Sequence, residues 1–117
     1  MTGRRMSWNE FLGLDLEGRD VELAWETRVQ RGKISKVNDL GGTVTLDVKN
    51  VHYASAHNFN KRADSAWEAE SLFLEVYIVK REDERLPEEQ ADGRIFIVRH
   101  QQTVIIHKQG DNISAAA

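Results

Sequence analysis

The sequence contains no cysteine and a single proline, Pro87. Lack of cysteine excludes a disulfide framework, a thiolate metal site and a cysteine nucleophile. It fits an intracellular protein. A large excess of either charge is also lacking. A formal net charge of −3 is not that of a protein that coats nucleic acid, so RNA binding by this chain requires a local basic patch. No apolar run approaches the ~20 residues that a membrane-spanning helix needs. The N-terminus lacks the apolar core of a signal peptide, and no membrane partner is expected. Repeats and low-complexity segments are missing as well. What is present is ordinary globular composition, 40% hydrophobic and 30% charged over 117 residues. That is enough for one domain with a modest core. We place it over 1–117, with flexible ends at 1–6 and 110–117.

The stretch Arg31 to Val51 organises the rest. Ile34 and Val37 are the apolar positions of one strand. Thr43 to Val48 then alternates, with Val44, Leu46 and Val48 on one face and Thr43, Thr45 and Asp47 on the other. Alternation with β-branched residues marks a half-buried strand. Asn38 to Gly42 supplies turn residues that tolerate positive φ. The three-residue step from Ile34 to Val37 breaks the period of two, which predicts a bend or bulge near Ser35 and Lys36. Gly32 sits where a side chain would obstruct a closely approached backbone.

Elsewhere the pattern is coarser. Ser7-Trp-Asn-Glu10 has capping-box spacing. Trp8, Phe11 and Leu12 form one apolar helical face, so a short helix is predicted up to about Leu14. Val21, Leu23, Trp25 and Val29 read as a first strand, with Glu22, Glu26 and Arg28 outside. The third strand runs on through Val51 and Tyr53. Ala54 to Ala66 is a polar loop containing His57, Lys61 and Arg62. Ser65 to Glu68 is a second capping-box spacing, in conflict with the strand-like Leu72 to Val79 that follows. That segment is too apolar on both faces for an edge facing water. Lys80 to Asp92 is a charged loop. Arg94 to Val98 and Thr103 to His107 form a closing hairpin.

Two of these segments resemble the motifs of the Sm and LSm proteins. The first is Gly32, Ile34, Asp39 and Thr43-Val44-Thr45-Leu46. The second is Gly93 to His100 followed by Thr103 to His107, with Arg99 at the family's arginine position. The resemblance covers well over half of the chain, with an unmatched insert between the motifs. It implies a mostly β fold, with a short N-terminal helix and a bent five-stranded Sm-like (SH3-like) small barrel with an enlarged insert. Thr43 stands where the family has Asn, and His100 where it has Gly.

The resemblance also implies a site and partners. Sm-type barrels bring two turns together, here Asn38, Asp39 and Thr43 with Arg99, His100 and Gln101. An Arg or His plane stacks on an unpaired base while Asn, Gln or Thr reads its edge. The competing reading pairs Arg99 with Asp39 across the barrel mouth. Sm-like subunits join by strand addition. Phe96, Val98, Val104 and Ile106, with Leu74 and Val76, carry more apolar surface than one small barrel buries, and are assigned to that interface. The expected function is a subunit of a ring-shaped or heteromeric ribonucleoprotein assembly that binds single-stranded RNA. The alternative is a protein–protein assembly module of the Gemin or decapping-enhancer kind, with little RNA binding.

No enzyme is expected. The four histidines, His52, His57, His100 and His107, lack metal-ligand spacing. No serine sits in a nucleophile elbow and no glycine-rich loop precedes a helix. Asp39 and Asp47 are explained by a turn and an outward strand position. No cofactor or metal is implied.

Overall fold

A computed structural model describes residues 3–55, 67–80, 86–99 and 101–110. Its strands are β1 (Arg4–Arg5), β2 (Asp20–Ala24), β3 (Arg28–Asp39), β4 (Thr43–Ser55), β5 (Glu68–Val79), β6 (Glu88–Glu89), β7 (Ile95–Arg99) and β8 (Gln102–Ile106). One short helix, α1 (Trp8–Leu12), precedes β2. The strands pair antiparallel in one sheet of order β1-β6-β7-β8-β2-β3-β4-β5. The chain is thus mostly β with a short N-terminal helix, as predicted. The described residues hold eight strands rather than five, in a sheet whose order leaves β1 and β5 as its ends.

The centre of the sheet follows the alternation. Val44, Leu46 and Val48 of β4 are buried to 1% exposure or less. They pack with Val21, Leu23, Ile34, Val104 and Ile106 from the neighbouring strands. The bend in β3 is present as a register shift between Ile34 and Lys36, and a second shift lies between Arg31 and Lys33. Gly32 occupies that second irregularity. A Cβ there would lie 2.6 Å from Val48 Cγ1 and 2.7 Å from the Lys49 carbonyl oxygen, so the close approach read from the sequence is real. At the β3–β4 turn Gly41 takes φ of 87°. Its amide donates to Asp39 Oδ1 at 3.1 Å, and the Leu40 amide donates to the Thr43 carbonyl at 2.8 Å.

Several boundaries differ from the sequence reading. Val21 to Val29 is not one strand. The chain turns after Ala24, the Trp25 amide donates to the Arg28 carbonyl at 2.8 Å, and Val29 belongs to β3, opposite Ala24. Alternation cannot reveal a turn when the residue beyond it falls on the same face. Glu68 opens β5 rather than a helix; Ser65 lies outside the described residues. β5 is an end strand of the sheet, against the expectation that Leu72 to Val79 avoids an edge. Leu72 is 85% exposed, and Phe73, Tyr77 and Val79 are each more than half exposed. Only Val76 and Ile78 of β5 reach the buried core, with Leu74 packed beside them.

Arg4 to Met6, within the segment 1–6 expected to be flexible, are paired. Arg4 and Arg5 align with Glu89 and Glu88, and Met6 is buried and donates its amide to the Pro87 carbonyl at 3.0 Å. Part of the acidic segment is therefore a strand, β6; residues 81–85 lie outside the described residues. In α1, Ser7 Oγ accepts from the Glu10 amide at 3.0 Å. The reciprocal half of the capping box is replaced, since the Glu10 carboxylate pairs with Arg4 at 2.8 Å. Trp8 and Phe11 close the core as an edge-to-face pair, centroids 5.7 Å apart.

Candidate functional site

Among the described residues, two concavities have a volume of about 260 Å³ each. The first lies where the β5 edge faces the tip of the β7–β8 hairpin. Its walls are Leu23, Trp25 and Gln30 on one side, Leu74 to Tyr77 on another, and Arg99 and Gln102 at the tip. The second lies beside α1, between Leu12 to Glu17 and the end of β3 at Val37 and Asp39. They share no residue.

The hairpin tip sets the first concavity. Arg99 and Gln102 face each other across a two-residue connection. Gln101 adopts φ of 61°, a left-handed conformation that disfavours a residue with a Cβ. Arg99 Nη1 donates to Gln102 Oε1 at 2.5 Å. No carboxylate pairs with Arg99 among the described residues. Burial holds its guanidinium below the ordinary arginine pKa. Opposite, the Tyr77 hydroxyl donates to the Glu75 carboxylate. That bond, with Glu75 and Asp47 as nearby charges, pushes the Tyr77 pKa up. Gln30 is buried and donates to Glu70, which also accepts from Arg28.

The second group is arranged differently. Asn38 Nδ2 donates to Thr45 Oγ1 at 3.1 Å. Asp39 pairs with Lys80 at 2.9 Å. That bond, followed by the Gly41 amide, holds its carboxyl below the ordinary aspartate range. Thr43 begins β4 opposite Val79. No hydrogen bond or ion pair of the described residues joins Asn38, Asp39 or Thr43 to Arg99 or Gln101. The Asp39–Arg99 pair across a barrel mouth is therefore corrected: each has another partner. His100 lies outside the described residues.

The residues assigned to an apolar interface separate by burial. Val104, Ile106 and Val76 belong to the chain's own core. Leu74 packs against that core and Phe96 is half-buried under Arg94, whose guanidinium carbon lies 5.0 Å from the ring centroid. Of the six, only Val98 stands more than half exposed. The apolar surface lies instead on β5, at Leu72, Phe73, Tyr77 and Val79.

Sequence reasoning passed over Trp25, Gln30 and Gln102 as site residues. Trp25 fits an ordinary strand position, and a glutamine carries no pattern that marks it as buried. A further buried pair was also missed. Glu22 and His107, read as an outward charge and a strand end, meet at 2.6 Å at 6% and 8% residue exposure. Their meeting follows from the β2–β8 register.

Among the described residues no group of three His, Asp or Glu side chains is placed to hold a metal ion, and no helix is long and apolar enough to cross a membrane. Comparison with known proteins gave no matching family model, no matching curated protein and no matching solved structure.

Proposed function

We propose that this chain is an assembly module of the Sm-like type that works mainly through protein–protein contact, by pairing its β5 edge with a strand of another chain. One observation carries the reading. β5 is a twelve-residue end strand whose side chains include four of the large exposed apolar residues. Soluble proteins blunt such edges with lysines, prolines, bulges or a covering element, because unpaired amides and carbonyls template further strands. Between Leu72 and Val79 the only charge is Glu75, and no lysine or proline intervenes. Main-chain hydrogen bonds supply affinity in strand addition, and alternate side chains supply specificity.

Single-stranded RNA is the second reading. It rests on Arg99, which has no carboxylate partner among the described residues and shares a concavity with Trp25. An arginine beside an aromatic suits a stacked base. Asn38, Asp39 and Thr43 are not among the residues that line that concavity.

Light scattering after size exclusion tests the first reading. The chain is compared with the double variant F73K/Y77K over a range of concentrations. Association of the chain, lost in a variant with unchanged circular dichroism, is the expected result. A chain that stays monomeric, or a variant that associates as the parent does, overturns it. Adding a U-rich oligonucleotide in the same run tests the second reading, through co-elution that Arg99→Ala abolishes.

A further inference from the structure

We infer that the strand received by β5 is β5 of a second copy, running antiparallel with Val76 on a two-fold axis. The inference rests on the reading of β5 as an assembly edge and adds the partner and the register.

The two sheet ends are unequal. β5 offers twelve residues and β1 only two. β7 is covered by β6 at Ile95 and Phe96, so among the described residues its open stretch is Ile97 to Arg99. A head-to-tail contact that uses all of β5 needs a second open edge of similar length. A two-fold contact needs only β5, because the same patch serves both copies.

Phe73 to Val79 is also self-complementary. With Val76 opposite itself, Phe73 opposes Val79, Leu74 opposes Ile78, and Glu75 opposes Tyr77. An even shift keeps core-facing residues beside core-facing residues. On the outer face an apolar residue meets an apolar residue, and a carboxylate meets a phenol. Within one copy the Tyr77 hydroxyl already donates to Glu75, two residues away on the same face. The same donor and acceptor recur across the axis. The registers displaced toward the start of β5 are poorer. An axis at Glu75 sets two carboxylates directly opposite, which destabilises a strand pair. An axis at Leu74 sets the Phe73 ring against Glu75. In the Val76 register Phe73, Tyr77 and Val79, at 55%, 54% and 59% exposure, are all brought beside a side chain of the second copy.

The chain has no cysteine of its own, which makes cross-linking a clean test of register. Directly opposed Cα atoms in an antiparallel pair lie about 4.5–5.5 Å apart, within disulfide range. The variant F73C/V79C places both cysteines opposite partners in the Val76 register. F73C/E75C does so only in the Leu74 register. Both are oxidised with glutathione and run on non-reducing gels, with circular dichroism confirming the fold. A covalent dimer from F73C/V79C in large excess over F73C/E75C is the expected result. The reverse preference, or a solution mass well above a dimer, overturns the two-fold arrangement. Absence of both cross-links while F73K/Y77K still abolishes association also overturns it, and leaves strand addition at β5 standing. Association that survives in F73K/Y77K removes that underlying reading as well.

Discussion

Replacing Gly32 with alanine probes the tightest point of the sheet. The added Cβ would lie 2.6 Å from a Val48 methyl and 2.7 Å from the Lys49 carbonyl oxygen. Both distances are far inside the usual 3.5–4.0 Å contact between non-bonded atoms. Val48 is 1% exposed and packed in the core, so its side chain has little room to move. The carbonyl belongs to β4, which pairs with β3 and β5 on its two sides, so the backbone resists as well. Overpacking of this kind costs about 1–3 kcal/mol. With two clashes, one against backbone, the upper end applies. Each kcal/mol lowers the melting temperature of a domain this size by roughly 3–6 °C, so Gly32→Ala is expected to melt roughly 9–18 °C lower. Gly42→Ala is the control: nothing lies within 4 Å of a Cβ at Gly42, and its φ is not left-handed. It should change stability by less than about 1 kcal/mol. Equal melting of Gly32→Ala and the parent, or equal loss in both variants, would refute the argument from close approach.

Three further predictions follow from single contacts. His107→Ala leaves the buried Glu22 carboxylate without its imidazole partner, and should cost about 3 kcal/mol in urea unfolding; in the E22L/H107L pair the losses should be well below additive, and strict additivity would show that the two do not interact. Gln101→Gly relieves a left-handed residue and should raise stability by about 1 kcal/mol; a loss would show that the Gln101 side chain holds the turn. Lys80→Ala removes the main cause of the lowered Asp39 pKa, so the carboxyl should titrate closer to its ordinary value by NMR. Asp39 contributes stability above the ordinary aspartate pKa, lost as pH falls through its depressed value; that acid-side loss should shrink in Lys80→Ala, and an unchanged titration would refute the pairing.

The local physics of the central hairpin was legible in the sequence. Val44, Leu46 and Val48 read as inward because period two and β-branching agree, and Gly32 read as a close approach because nothing else explains a glycine at a strand start. Ser7 read as a cap because its spacing to Glu10 is local. What escaped were non-local choices. Whether Leu72 to Val79 is central or at an edge depends on which strands flank it, and no residue of that segment encodes its neighbours. The pairing of Arg4 and Arg5 with Glu88 and Glu89 joins segments more than eighty residues apart. Glu22 read as solvated because a lone glutamate in an alternating strand usually is; only the register with β8 shows His107 beside it. The relation between the two turns was not legible for the same reason: among the described residues no hydrogen bond or ion pair joins them. Each turn was readable, but the distance between them is a property of the whole sheet.

The central claim is that the β5 edge is occupied in the working assembly. Amide hydrogen exchange of Phe73 to Val79, followed by NMR or mass spectrometry at low and high protein concentration, tests it most directly. An edge amide facing water exchanges readily, and one paired with another strand does not. Protection in this segment that rises with concentration, and does not rise in F73K/Y77K, is the predicted result. Exchange across β5 that is independent of concentration would contradict the account.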